Sequence, residues 1–571
     1  MRVLLGQSGD TRAGWPKNQQ AGQNLALPKF SSNDSFTSTS SSKPQQPANN
    51  VLSFPKILFG AAKKAAATKE ETVDLVLKGV NAGWAKRLVA TAESYGINVG
   101  EYLQDLLPQF ADTLPDKDIM PSVSATVTGK HNGRNVRTKV TTLIGPDQIF
   151  QSWIDTLHKT KEYAQIALFD FDNVKVGGRG VDGADVTDAW KMQQKVLEMI
   201  EEKARKGVKF QILLDSHVET KYDKRGRPIF PREINNEGMY NYLKGLQEEG
   251  LPIEIVSYPR ELANIYHVKL LISDGKRAIV GGMNLSNHSA ANWDACVQLE
   301  GREVANLQAE TFHQDWLMAR HKREPGKSLE ELRDSLPEVT PVDEPAIKVL
   351  NTMPREYEQV GYEPREEIGD YFREKLQSPT LAGVYSEQFI ATHKVVRDLL
   401  IQRNQEGIPV QMLHSAGVID KFPYCRNTVY RMEMGGVPVR YYPENEATAE
   451  QLHAKWTMLE DKNPAKSEVV IGSANTSAAA FETNVGKGKR GDYPAGEEQP
   501  YRRGNRDVAI VIPSQKIADV FKAQHQKDWE YSYSTRPPAY GMDVVTRGLE
   551  ELVSNTNVAD LLAKAAAAKT K

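Results

Sequence analysis

One short phrase occurs twice in this chain, and that repetition constrains the fold more than composition does. His267-Val-Lys269-Leu-Leu-Ile-Ser-Asp274 leads into Gly281-Gly282-Met283-Asn284, and His453-Ala-Lys455-Trp-Thr-Met-Leu-Glu460 leads into Gly472-Ser473-Ala474-Asn475. The flanks repeat as well. Gly250-Leu-Pro252 precedes the first phrase and Gly436-Val-Pro438 the second; the two glycines lie 186 positions apart, as do His267 and His453. Downstream, Asp294 opens an apolar strand and a helix ending in Asp315-Trp316, and Asp507 opens another pair ending in Asp528-Trp529. Each opening aspartate stands 22 positions before its tryptophan. A unit this long is a duplicated domain, unlike a solenoid repeat of about 20 to 50 residues. Two half-sites of this kind imply one composite site.

Strand and helix patterns alternate within each unit. The first predicts a strand over 164–171, a helix over 190–206, and strands over 208–214 and 253–258. The second predicts a helix over 391–406, strands over 408–414 and 437–442, and then the second motif strand. This is the pattern of an α/β fold with two tandem domains, each a mixed sheet flanked by helices, the site lying between them. The expected domains are 122–321 and 346–535, joined by a charged, Pro-containing linker over 322–345.

Outside them, residues 1–70 read as a disordered basic tail, rich in Ser, Asn, Gln, Pro and Gly up to about Asn50. Within it, 51–68 mixes apolar residues with Lys56, Lys63 and Lys64, which suits either a surface-lying helix or a plain packing segment. Residues 71–121 read as a helical accessory segment, with Val73, Leu75, Val76, Val80, Trp84 and Leu88 near helical spacing. Residues 536–571 read as a tail with a small Ala-rich helix over 559–569.

On a strand, residues two apart share a face, so His267 projects with Lys269, and His453 with Lys455. An imidazole beside an ammonium fits a phosphodiester, whose charged non-bridging oxygens repel a nucleophile unless cations surround them. The acidic position seven residues after each histidine has the opposite parity and falls to the scaffold. Asp274 starts an Asp-Gly turn between two strands, which gives it the work of holding that turn.

The paired HxKxxxxD/E phrases, each followed by Gly-Gly/Ser-x-Asn, resemble the phospholipase D superfamily, including its cardiolipin synthase branch, over about residues 122–533. The resemblance implies that one histidine attacks phosphorus to give a phosphohistidine, that the other protonates the leaving alcohol, and that water or a second alcohol then resolves the intermediate. By similarity His267 is the nucleophile and His453 the acid; the residues themselves do not order the two. Lys269, Lys455, Asn284 and Asn475 would hold the non-bridging oxygens. An acidic residue shortly after each Asn would orient the imidazoles, a place filled by Asp294 in the first half and, across an insertion, by Asp507 in the second. No metal or other cofactor is required by this scheme.

The chain departs from the family pattern in two places. Glu460 replaces the motif aspartate, and activity is expected to survive that change because the position faces away from phosphate. Gly282 stands where the family often has serine, while the second half keeps Ser473; Ser286 is a candidate substitute for the missing hydroxyl. The insertion over 481–504, with several Lys and Arg, suits either a lid or a solvated loop. His217, His288, His393 and His414 have no repeated partner and read as structural or surface residues.

A formal charge of −2 over 571 residues offers no basic envelope for nonspecific nucleic-acid binding. A phospholipid substrate, a peripheral membrane surface and a water or alcohol acceptor are therefore favoured over nucleic acid, in a monomer that carries both half-sites. Cardiolipin-synthase-type transfer to phosphatidylglycerol and a nuclease of the same superfamily are the alternatives. The tyrosyl-DNA phosphodiesterase branch lacks the acidic motif residue present here, and intact His, Lys and Asn in both halves argue against a purely binding protein. Two cysteines are too few for a disulfide scaffold or a zinc cluster. No apolar run reaches the roughly 18 to 20 residues of a membrane span, and the opening residues lack the apolar core of a secretory signal. A cytoplasmic or peripheral membrane location is expected, with export lacking a cleaved signal as a further route.

Overall fold

A computed structural model describes residues 118–172, 188–215, 236–259, 262–263, 265–286, 289–421, 423–443, 451–483 and 504–532. The expected N-terminal tail, nearly all of the helical accessory segment, most of the insertion, the C-terminal tail, His217 and His288 lie outside them.

The first sheet contains β1 (Ser124–His131), β2 (Arg134–Ile144), β3 (Tyr163–Leu168), β4 (Lys209–Asp215), β5 (Ile253–Tyr258), β6 (Lys269–Ser273), β7 (Arg277–Gly281) and β8 (Ala295–Gly301). The second contains β9 (Lys348–Met353), β10 (Arg365–Glu366), β11 (Leu381–Gln388), β12 (Val410–Ser415), β13 (Val439–Tyr442), β14 (Lys455–Asp461), β15 (Glu468–Gly472) and β16 (Asp507–Pro513). Their spatial orders are β1-β2-β8-β7-β6-β3-β4-β5 and β10-β9-β16-β15-β14-β11-β12-β13. Apart from the edge strands β1 and β10, the two orders correspond strand for strand, and the fold is two tandem α/β domains with mixed sheets.

The mixture follows from the connections. β3, β4 and β5 run parallel, as do β11, β12 and β13, because the helices Asp188–Arg205, Glu237–Glu248, Lys394–Gln405 and Pro423–Met434 carry the chain back between them. The motif strands are joined by short connections, a tight turn between β6 and β7 and a longer loop with the 3-10 turn Pro464–Lys466 between β14 and β15, and pair antiparallel. Between β6 and β7, Asp274 and Gly275 both adopt positive φ (50° and 61°), the backbone that favours Asp-Gly in a hairpin turn.

Alternation along the motif strands divides the core. Leu270 and Ile272 of β6, with Trp456 and Met458 of β14, pack into one buried cluster shared by both sheets. Leu271 faces the opposite way, toward helix residues such as Phe150 and Trp153, and Leu459 faces the outer core of the second half. The helices that close each half add Trp316 and Phe521 to the shared cluster.

Two parallel bridges stitch the halves where the motif strands begin. Tyr266 pairs with Arg506 and Trp293 with Leu452. The His267 amide donates to the Arg506 carbonyl at 2.9 Å, and the His453 amide to the Trp293 carbonyl at 2.7 Å.

Two local expectations shift. The helix expected over 391–406 starts at Lys394, because the His393 Nδ1 accepts the Val396 amide and caps it, while Ala391 is bridged to Thr476. The expected linker over 322–345 is packed: Leu329–Asp334 is helical under a Ser328/Glu331 capping box, and Leu332 is fully buried.

Candidate active site

His267 and His453 stand just before β6 and β14, Asp294 just before β8, Asp507 at the start of β16, and Asn284 and Asn475 just after β7 and β15. Because these strands are antiparallel neighbours in each sheet, their ends converge. His267, Lys269, Asn284, Asp294, His453, Lys455, Asn475 and Asp507 are all buried.

The carboxylate partners are exchanged between the halves. His267 Nδ1 lies 2.8 Å from Asp507 Oδ1, and His453 Nδ1 lies 2.7 Å from Asp294 Oδ2. The inter-half bridges produce the exchange, since each pairs the residue before one histidine with the residue before the other half's aspartate. A carboxylate at Nδ1 favours the tautomer with hydrogen on Nδ1, which leaves Nε2 with its lone pair for chemistry.

Each lysine ammonium donates to the carbonyl of the histidine two residues before it, Lys269 at 2.6 Å to His267 and Lys455 likewise to His453. Each lysine also sits over an aromatic ring that the sequence reading did not single out. Lys269 Nζ is 5.0 Å from the Phe169 ring centre and Lys455 Nζ is 5.2 Å from that of Phe389. The same rings flank the histidines, with centroid separations of 5.1 Å for Phe169–His267 and 4.7 Å for Phe389–His453. Both phenylalanines follow the last residue of corresponding strands, β3 and β11, and that repeated placement was the available signal. Asn284 and Asn475 are buried with amide oxygens that have no hydrogen-bond partner.

Burial and crowded positive charge set the protonation states. Burial, and then Lys269, bring His267 down to about 4 against the pull of Asp507. His453 is held well below its ordinary value by burial, Lys455, Lys269 and His267. Burial brings Lys455 down to about 8, opposed by Asp294 and Asp507, and with repulsion from Lys455 it holds Lys269 well below the usual lysine range. The carboxylates diverge. Burial pushes Asp294 up to about 7; it also acts to raise Asp507, but His267, the Ser473 hydroxyl and Lys269 outweigh it and hold that carboxyl low. At neutral pH the site thus contains neutral imidazoles beside two lysines whose charged forms burial disfavours, an environment an anion would relieve.

The two glycine-serine positions differ for a steric reason. Ser473 Oγ donates to Asp507 Oδ1 at 2.6 Å, whereas a Cβ at Gly282 would lie 2.2 Å from Asp294 Oδ1. The Asp294 carboxylate occupies the space a side chain would need. Ser286, the candidate substitute for the missing hydroxyl, is buried with its Oγ 3.0 Å from Ser289 Oγ.

Asp274 and Glu460 occupy corresponding places but make different contacts. Asp274 accepts the amides of Lys161, Glu162 and Tyr163 at 2.9–3.0 Å and so fastens the start of β3. Glu460 instead pairs with Lys522 at 2.8 Å. Among the other histidines, His393 caps its helix and pairs with Glu482 at 3.0 Å, and His414 is buried beside the Gln388 carbonyl.

Residues 154–316 match the family described as the cardiolipin synthase, phospholipase D-like domain. A search of curated proteins found no match. Among solved structures, phosphatidylserine synthase from Haemophilus influenzae is similar at 12% identity over 73% of this chain and 92% of that one, with a TM-score of 0.46. Nuc, a phospholipase D family member from Salmonella typhimurium, is similar at 15% identity over 33% and 97%, with a TM-score of 0.24. Polyphosphate kinase from Porphyromonas gingivalis is similar at 10% identity over 80% and 62%, with a TM-score of 0.37. The family match runs through β3 to β8 and contains His267, Lys269, Asn284 and Asp294; the second half repeats that plan strand for strand, and the matched residues of the first half are similar to a phospholipase D-like domain.

Proposed function

We propose that the chain cleaves a glycerophospholipid phosphodiester and passes the phosphatidyl group to water or an alcohol through a phosphohistidine. The observation that carries this reading is the duplicated imidazole-carboxylate pair, exchanged between halves and flanked by two buried lysines.

In the first step the His267 Nε2 lone pair attacks phosphorus, a P–N bond forms, the P–O bond to the leaving alcohol breaks, and His453 Nε2 delivers its proton to that oxygen. In the second, water or an alcohol attacks phosphorus, His453 takes its proton, and the P–N bond breaks. Asp507 stabilises the charge that His267 acquires, and Asp294 does so for His453. A neutral His267 suits attack. His453 must be protonated for its acid role, and a bound phosphodiester favours that by offsetting the repulsion from Lys455 and Lys269. General acid-base help of this kind is worth roughly 10² to 10⁴ in rate, and each well-placed oxyanion donor about 10² to 10³. Lys269, Lys455, Asn284 and Asn475 supply the donors.

The family description favours one specific variant, transfer to phosphatidylglycerol with formation of cardiolipin. Among the described residues no helix is long and apolar enough to cross a membrane, and contact with lipid is proposed to be peripheral.

The test is to incubate purified protein with vesicles of phosphatidylcholine or phosphatidylglycerol and a little ethanol. Phosphatidic acid or phosphatidylethanol supports the reading, and cardiolipin from phosphatidylglycerol alone selects the transfer variant. Intact lipid together with cleavage of single-stranded DNA or RNA would replace it with a nuclease.

A further inference from the structure

Asp315, one of the two aspartates in the repeated Asp-Trp pairs, is fully buried with both carboxylate oxygens occupied. Its Oδ1 accepts from Arg506 Nε at 2.7 Å and from the Tyr357 hydroxyl at 2.6 Å, and its Oδ2 accepts from the Tyr266 hydroxyl at 2.9 Å. Tyr266 is the residue before His267, and Arg506 is the residue before Asp507. A single carboxylate therefore grips both strands one residue from the dyad they carry. Arg506 is also held by its own Nη1, which donates to the Thr352 and Asp507 carbonyls at 3.3 and 2.7 Å.

The corresponding acid in the second half reaches one of the two dyad strands, its Oδ1 accepting from Gln524 of its own helix at 3.1 Å. Asp528 Oδ2 accepts from the Trp293 indole at 2.9 Å, and Trp293 precedes Asp294. The residue before His453 is Leu452, whose side chain has no donor. The His267–Asp507 dyad is thus anchored through both of its strands, and the His453–Asp294 dyad through one.

We propose that Asp315 is a positioning residue that fixes His267 against Asp507, so that the first of the two histidines is held for in-line attack while His453 keeps the freedom to donate and accept a proton. The proposal rests on the phosphohistidine reading above. Attack requires the reacting atoms within a narrow distance and angle, and a displacement of about 1 Å costs on the order of 10²-fold in rate. A proton carrier tolerates more movement, because it serves the leaving oxygen in one step and the incoming oxygen in the next.

Asp315→Asn leaves Arg506 buried without a counter-charge, so loss of folding is a real outcome for that variant. Two milder variants separate positioning from bulk stability. Tyr266→Phe and Tyr357→Phe each remove one buried hydroxyl from the same carboxylate, but only Tyr266 adjoins a reacting residue. The probe is bis(p-nitrophenyl) phosphate, whose p-nitrophenolate leaves without protonation, so first-turnover release reports attack by the nucleophile. Tyr266→Phe is expected to slow that release about tenfold with KM little changed and to shift the His267 Nδ1 proton resonance in the full chain labelled with 15N-histidine. Tyr357→Phe is expected to leave both within about twofold of wild type. Equal slowing by the two variants, or slowing by neither, overturns the proposal. If wild-type protein releases no p-nitrophenolate and also leaves the lipid vesicles intact, the phosphohistidine reading fails separately; wherever no p-nitrophenolate is released the resonance alone decides, and an unchanged His267 signal in Tyr266→Phe overturns the positioning role.

Discussion

His267 and Asp507, separated by 240 positions, meet at 2.8 Å because the residues before them form a backbone bridge. His453 and Asp294 meet in the same way. Each half therefore lacks the partner of its own histidine, and neither half contains a complete dyad.

The exchange predicts which double variants couple. His267→Ala with Asp507→Asn should show a stability coupling of about 1 kcal/mol or more, since the two groups touch in a buried site. His267→Ala with Asp294→Asn should couple less strongly, because the two share Lys269 and His453 but do not touch. Chemical denaturation of the three single and two double variants measures both, and stronger coupling of His267 to Asp294 than to Asp507 would refute the exchanged arrangement.

The alkaline limb of activity should include Lys455, alongside Lys269, which burial and Lys455 also lower. Burial lowers the pKa of Lys455 to about 8, so its charge is present below that pH and lost above it. The pH profile of kcat/KM reports groups of the free enzyme and should fall above about pH 8. In Lys455→Arg the guanidinium stays charged, and the limb should move upward even if the rate is lower. An unmoved limb would assign it to another group.

The pH dependence of stability should contain two opposing contributions from this site. His267 has a folded pKa of about 4 against an ordinary 6.5, so below about pH 6.5 the unfolded chain binds the extra proton and stability declines as pH falls toward 4. Asp294 is raised from 3.8 to about 7, so the folded state binds the extra proton between those values and stability declines as pH rises through them. Asp294→Asn should remove the second slope and leave the first. Urea midpoints of wild type and variant from pH 4 to 8 would show this, and identical profiles would contradict it.

The acidic motif positions should separate scaffold from surface. Asp274→Ala leaves three backbone amides without their acceptor and should cost about 2 kcal/mol. Glu460→Ala removes a partly exposed pair with Lys522 and should cost about 0 to 1 kcal/mol. Thermal unfolding measures both, and equal costs would mean that Glu460 has taken over the role of Asp274.

The parts of the fold legible in the sequence are those written as local pattern. Strand β5 was placed residue for residue over 253–258, and equal spans to Trp316 and Trp529 picked out Asp507 beyond an insertion. The exchange of partners was not legible, because it depends on amide-carbonyl bonds such as His267 to Arg506, which leave no trace in side-chain identity. Phe169 and Phe389 were hidden for another reason. An aromatic residue at a strand end reads as core until its ring is seen beside an imidazole and an ammonium. Asp315 was visible as half of a repeated Asp-Trp pair, but its grip on Tyr266 and Arg506 requires the two halves to be docked.

Restoring the repeat at its one asymmetric glycine should be harmful. By analogy with Ser473, serine at position 282 would complete the symmetry and supply a donor to Asp294. The geometry argues the reverse, because the added Cβ would lie 2.2 Å from Asp294 Oδ1, and that carboxylate is fixed by the Ala295 amide at 2.8 Å and by His453 at 2.7 Å. Relief requires moving the carboxylate away from the imidazole. Gly282→Ser should therefore lower turnover by about 10² or more and destabilise by roughly 1 to 3 kcal/mol, as overpacking does. Ser473→Ala removes a donor from Asp507 without a clash and should lower turnover less, because His267 and Lys269 still hold that carboxyl low. Comparing kcat and melting temperature of the two variants checks the order, and a Gly282→Ser protein as active as wild type would show that the carboxylate has another place to go.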